Sequence, residues 1–200
     1  DNQLTTINVE DNPNLNYLNF SNNQISQIDI SSNAFLNTLV CSNNLLNELN
    51  IEANLNLFML DCAFNQISEL DLSSHTILFQ VKCNDNNLIV LNLKNGNNGS
   101  IFSMYAQNNT DLECIQVDDE NYESYIDWQK DDSASYSEIC NYPIIWRLNN
   151  QWSNVTGPSI DDDIAIVGEL ILNDDLSAKN IRIVSTGIFK ITENKTVTLS

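Results

Sequence analysis

Apolar residues return along the first half of the chain at a fixed interval. Leu15, Leu36, Leu57 and Leu78 stand 21 residues apart, as do Leu18, Leu39, Leu60 and Val81. Phe20, Cys41, Cys62 and Cys83 keep the same interval, and so do Asn23, Asn44, Asn65 and Asn86. With Ile25, Leu46, Ile67 and Leu88 closing each unit, the pattern LxxLx(F/C)xxNx(I/L) recurs four times in register. A fifth copy runs through Ile101, Met104, Ala106, Asn109 and Leu112, displaced by two residues after Gly96–Gly99 and one residue longer before its last Leu. The second half of each unit repeats too, at Leu4-Ile7-Val9, Ile25-Ile28-Ile30, Leu46-Leu49-Ile51, Ile67-Leu70-Leu72 and Leu88-Leu91-Leu93. Chance does not hold a register this long, so the chain is a repeat protein.

A single unit of this size has too little surface to bury its own apolar residues, whereas stacked units align them into one continuous core. Alternation around Leu18-Asn19-Phe20 predicts one short strand per unit, and the strands together line a concave sheet. Six rungs at ~4.8 Å each give a solenoid of roughly 25–30 Å with little helix. The chain holds 34 Asn among 200 residues, although Asn favours neither helix nor strand. The repeat explains the excess. Asn23, Asn44, Asn65, Asn86 and Asn109 turn inward, where amides satisfy backbone groups leaving the strand. A second ladder, Asn12, Asn33, Asn54 and His75, occupies the opposite bend and assigns the single histidine a structural hydrogen bond rather than catalysis.

The stretches Leu60-Asp61-Cys62 and Cys41-Ser42-Asn43-Asn44 resemble leucine-rich repeats, specifically the 21-residue repeats of secreted proteins from Bacteroidetes-type bacteria. That resemblance implies secretion, surface attachment and a mainly β horseshoe. Cys41, Cys62 and Cys83 fill an inward slot shared with Phe20 and Ala106, and are expected to be reduced core residues. A three-thiol metal site is the sharper reading of that column, but no His or carboxylate shares it. Cys114 and Cys140 lie outside the ladder and flank an acidic, aromatic segment containing Tyr122, Tyr125, Trp128 and Tyr136. Cys114-Ile115-Gln116-Val117-Asp118-Asp119 resembles the start of the cap in the same secreted family. A Cys114–Cys140 disulfide would close that cap and imply an oxidising compartment.

Net charge narrows the partners. Eight Lys and Arg against 27 Asp and Glu leave −19, which disfavours nucleic acid and anionic membrane surfaces. No stretch has the roughly 18 apolar residues of a spanning helix. Ligand contacts are expected from residues alternating outward on the concave strands: Tyr17, Asn19, Thr38, Val40, Met59, Asp61, Gln80, Lys82, Ser103 and Tyr105. Tyr17, Met59 and Tyr105 are the candidate apolar anchors. On the opposite face Glu48 and Glu69 are expected to stack, beside a column of Asn8, Asp29, Asn50, Asp71 and Asn92. A solvated acidic surface is the plain reading of these residues. Ca²⁺ is the alternative, although no known Ca²⁺ loop matches, and no metal or other cofactor is assigned. Paired carboxylates on a solenoid stripe offer no glycosidase cleft, and no catalytic residue is assigned.

Charge also divides the chain, with −10 over residues 1–117, −7 over 118–140 and −2 over 141–200. These segments read as leucine-rich repeats, a C-terminal cap and a smaller β-rich module. The module has strand patterns at Ile164–Val167, Leu170–Leu172, Ile181–Val184, Phe189–Ile191 and Val197–Leu199. Trp146, Trp152, a Gly157-Pro158 turn and Asp161-Asp162-Asp163 give it a resemblance to modules that follow such repeats in surface proteins. The pattern stops mid-course at Ser200, so the natural protein is expected to continue. Asn98, Asn108, Asn154 and Asn194 begin glycosylation triplets, idle in a bacterial protein. The expectation is a secreted or cell-surface, non-catalytic recognition module that binds a protein partner through the concave sheet. A polysaccharide-binding or adhesion role and a spacer role are the alternatives, and the oligomeric state is left open.

Overall fold

The computed structural model describes residues 2–121, 128–142, 144–146, 163–166, 169–172, 176–178, 180–183, 188–191 and 197–199. Tyr122, Tyr125, Trp152, Gly157-Pro158, Asp161, Asp162, Val167, Val184 and the triplets at Asn154 and Asn194 lie outside the described residues. The chain divides into two compact units, Asp1–Cys140 and Asn141–Ser200.

The first unit is a parallel β-solenoid. Its strands are β1 (Tyr17–Asn19), β2 (Thr38–Val40), β3 (Met59–Asp61), β4 (Glu69–Asp71), β5 (Gln80–Lys82), β6 (Val90–Asn92), β7 (Ser103–Tyr105), β8 (Cys114–Gln116), β9 (Trp128–Gln129) and β10 (Ser135–Ser137). A six-stranded sheet has the order β1-β2-β3-β5-β7-β9, and a four-stranded sheet the order β10-β8-β6-β4. Register stacks Leu18, Leu39, Leu60, Val81, Met104 and Trp128 in one column. Each is buried in the core. Among the described residues the one helical element is a 3-10 turn at Asn98–Ser100, where the two-residue insertion is absorbed.

The inward asparagines tie each rung to its neighbour. Asn65 Nδ2 donates to the carbonyls of Cys62 in its own rung and Cys41 in the preceding one, both at 3.1 Å, while its Oδ1 accepts from Leu46 N–H at 3.0 Å. Asn44, Asn86 and Asn109 repeat the arrangement, accepting from the N–H groups of Ile25, Ile67 and Leu88 respectively. Three backbone groups that leave the strand ladder, all in the core, are thereby paired by one amide. The second ladder works likewise: Asn54 Nδ2 reaches the carbonyls of Ile30 and Asn33 at 3.1 and 2.9 Å. After the insertion its work is divided, with Asn95 donating to the His75 carbonyl and Asn98 to that of Leu93.

Just before each inward asparagine the backbone is left-handed, at Asn22, Asn43, Phe64, Asp85 and Asn108 with φ between 55 and 59°. Asn and Asp tolerate this region because their short polar side chains bond locally, whereas a bulky side chain is strained there.

Segment 118–140 adds a strand to each sheet. Trp128 takes the inward slot of Leu18 and its successors, and its Nε1 donates to the Ile101 carbonyl at 3.1 Å. Asp131 then closes the hydrogen-bond ladder. Lower in the coil Asn43 and Asn44 donate their N–H groups to carbonyls of the next rung. At the last rung the Asp131 carboxylate receives the corresponding N–H groups of Asn108 and Asn109, at 2.9 and 2.8 Å. The Cys114–Cys140 disulfide, with a Cα–Cα distance of 5.9 Å, fastens the end of this segment to β8.

The second unit is parallel too. Its strands are β11 (Ile144–Trp146), β12 (Asp163–Ile166), β13 (Glu169–Leu172), β14 (Leu176–Ala178), β15 (Asn180–Ile183), β16 (Ile188–Ile191) and β17 (Val197–Leu199). They pair as β11-β12-β15, β13-β16 and β14-β17, so the chain passes through three sheets in turn and returns to the first. The β14 strand at Leu176-Ser177-Ala178 was not expected from alternation, because only Leu176 marks it as strongly apolar.

Stability measurements check this geometry at two positions. Replacing Asn65 by Ala orphans the buried Leu46 N–H, while the Cys41 and Cys62 carbonyls keep Asn44 and Asn86 as donors, so the loss in urea unfolding should be about 1–3 kcal/mol. Exposed Gln66→Ala is the control and should stay within about 0.5 kcal/mol of the parent. Phe64→Asn should raise stability by about 1 kcal/mol by relieving the left-handed strain.

Candidate functional site

The outward face of the six-stranded sheet is built from alternate residues of its strands. Tyr17, Thr38, Met59, Gln80 and Ser103 form one column, and Asn19, Val40, Asp61, Lys82 and Tyr105 the next. Tyr17 is 57% exposed and Met59 37%. Asn19 is exposed as well, but its Oδ1 accepts from the N–H and hydroxyl of Ser21. Thr38, Val40, Asp61, Gln80, Lys82 and Tyr105 are half-buried. Ser103 is buried, with its hydroxyl accepting from Gln80 Nε2 at 2.7 Å, and so offers a ligand no contact area.

The three expected anchors do not meet as one patch. Tyr17 and Met59 share a column with Thr38 between them, while Tyr105 lies in the other column, two rungs beyond Met59. The Lys82 ammonium sits 5.9 Å from the centroid of the Tyr105 ring. Lys82 is the register neighbour of Asp61, yet among the described residues no ion pair joins them.

The continuous apolar feature lies along the margin of this face instead. Phe58, Phe79 and Phe102 immediately precede β3, β5 and β7. Their rings stack with centroids 4.9 and 5.4 Å apart and planes within 5°. All three are exposed, Phe102 at 62%. The signal was present in the repeat, since Phe58 and Phe79 are 21 residues apart and Phe102 follows with the same displacement as Met104. It escapes a strand-centred reading because the position falls in the bend before the strand, and the first rungs hold Asn16 and Asn37 there.

The opposite column has a structural use. The side-chain oxygens of Asn8, Asp29, Asn50, Asp71 and Asn92 each accept the backbone N–H two residues on, closing the bend after the strand. Hydrogen bonds from the Ser31 hydroxyl and amide hold the Asp29 carboxyl below its ordinary range. Among the described residues no group of three or more His, Cys, Asp or Glu side chains is placed to hold a metal ion.

Buried titratable groups are set against ionisation. Cys41, Cys62 and Cys83 are fully buried free thiols. Burial pushes all three up, Cys83 to about 12, so they are poor nucleophiles. At the last rung burial raises the Tyr136 phenol to about 12, and its ring meets Trp128 edge-on while lying under the Lys130 ammonium. His75 is 2% exposed, with Nε2 3.3 Å from the Ile51 carbonyl, as its place in the asparagine ladder requires. Desolvation lowers its pKa.

No family model matches the chain, and no curated protein matches it. Among solved structures the chain is similar to the functional domain of InlJ from Listeria monocytogenes, a protein described as including a cysteine ladder. The likeness has a TM-score of 0.49 and 21% sequence identity over 68% of this chain. The chain spans 38% of the length of that structure.

His75 yields a pH prediction. Its native pKa lies below the unfolded value of about 6.5, so the unfolded state takes up the proton first. Its contribution to stability is therefore complete above that pH and is lost as pH falls through the lowered native value. His75→Asn should flatten the decline in urea midpoint between about pH 6.5 and 5, a window above the ordinary carboxylate range. An unchanged slope would show that other groups set it.

Proposed function

We propose that the chain is a non-catalytic recognition module of the cell exterior that binds a protein partner through the outward face of the six-stranded sheet and its phenylalanine margin. The observation that carries this reading is the exposed apolar run from Met59 to the stacked Phe58, Phe79 and Phe102. Apolar and aromatic side chains on a rigid backbone supply contact area at little entropic cost. The asparagine ladders provide that rigidity beneath them.

Ring geometry favours a protein over a polysaccharide. A sugar stacks on an open aromatic face, but in this column neighbouring rings cover one another. Phe79 is covered on both faces and so presents its edge to solvent, which suits aliphatic and aromatic side chains. The Cys114–Cys140 disulfide supports an oxidising location. Among the described residues no helix is long and apolar enough to cross a membrane.

The test is to present the 200-residue chain to a panel of extracellular proteins and to a glycan panel. Saturable binding to a protein, weakened roughly tenfold or more by Met59→Ser combined with Phe102→Ser, is the expected result. Glycan binding that survives both substitutions, or chemical turnover of any bound molecule, would contradict the proposal. Silence on both panels would favour a spacer.

A further inference from the structure

Resting on that reading, we infer that the partner is a polypeptide segment carrying a Lys or Arg flanked by apolar residues, and that it lies across the third rung, with its cation on Asp61 and its apolar side chains against Phe58, Met59 and Phe64.

Charge is the first support. Residues 1–81 contain nine Asp and Glu and not one Lys or Arg. The one histidine in that stretch is buried and held neutral at pH 7 by desolvation. These rungs therefore carry a negative field with no internal cation, which draws basic partners and repels acidic ones. A second copy of this chain, at −19, is a poor occupant for the same reason.

Asp61 is the second. Among the described residues it is the one carboxylate in the two outward columns of the sheet, flanked by Val40 on one side and Lys82 on the other. Lys82 gives its ammonium to the Tyr105 ring. The Asp61 carboxylate accepts the N–H of Ala63 at 3.3 Å, which leaves it acceptor capacity on the half-exposed face.

Phe64 is the third. Its column holds Asn22, Asn43, Asp85 and Asn108, all suited to the left-handed backbone, yet here a phenylalanine sits at φ 55° and is 49% exposed. It lies outside the core cluster, so folding gains little from it. An exposed bulky side chain kept in a strained backbone is the signature of a site whose use lies outside the fold. The third rung thus has Phe58 and Met59 at one end, Phe64 at the other and a carboxylate between. β3 ends at Asp61 and Phe64 is left-handed, so Met59 and Phe64 lie closer than the ~16 Å of an extended chain, a span that seats a short segment with a central cation.

The experiment pans a phage-displayed library of randomised peptides against the 200-residue chain. Enriched peptides are then measured on Asp61→Asn and Phe64→Asn. The second variant is expected to be more stable than the parent, so loss of binding there cannot be ascribed to unfolding. Expected is enrichment of Lys or Arg beside apolar residues. Affinity should fall roughly tenfold on either variant, and also between about 0.05 and 0.5 M NaCl. Neutral or acidic peptides that bind the face and are lost on Met59→Ser with Phe102→Ser would overturn this inference while leaving protein recognition intact. Peptides indifferent to every one of these substitutions, or no enrichment, would overturn both.

Discussion

One amide per rung holds this solenoid together. Where the chain leaves the six-stranded sheet, two carbonyls and one N–H point into the core, belonging to adjacent rungs. An inward Asn side chain is the one short group that donates twice and accepts once from that position. Aspartate lacks the donors, leucine lacks everything, and glutamine is a methylene too long. Asn44, Asn65, Asn86 and Asn109 each bond backwards to the preceding rung as well as to their own. The ladder is therefore a chain of nearest-neighbour couplings, which is how repeat proteins acquire stability without long-range contacts.

That constraint determines what else the rungs tolerate. The slot three residues before the asparagine packs in the core, so it accepts Phe20, three cysteines or Ala106, and its thiols are pushed away from reactivity. The residue before the asparagine must be left-handed, which makes Phe64 costly to the fold and so informative about use. At the end of the coil the couplings need a terminus, and Asp131 supplies it by offering two carboxylate oxygens in place of the next rung's carbonyls. With inner positions committed to packing and hydrogen bonding, variation is confined to outward columns and to the bends. Those are the places where the apolar margin and Asp61 appear.

Legibility in the sequence tracked how strictly each position is constrained. The 21-residue register, the two asparagine ladders, the buried thiols and the place of His75 were readable because each role admits few side chains. The residues that build the last rung within 118–140 were not, because Trp128 replaces Leu, Asp131 caps rather than bridges, and the spacing widens to 24 residues after Met104. The ladder role of Asn98 was not readable, because the insertion divides the work between it and Asn95. On the site, alternation says which positions share the outward columns but not which of them are free. Ser103 is outward by period and buried by its neighbours, Lys82 turns to Tyr105, and the phenylalanine column lies in bends where alternation says nothing.

Amide hydrogen exchange in an Asn86→Ala variant tests the coupling most directly. The Ile67 N–H donates to Asn86 Oδ1 at 2.9 Å, across the junction between two rungs. If one amide couples neighbours, protection at Ile67 collapses with the substitution, while Ile25, two junctions away and bonded to Asn44, keeps its own. Unchanged protection at Ile67 would show that apolar stacking alone holds the rungs together and that the asparagine ladder merely fills space.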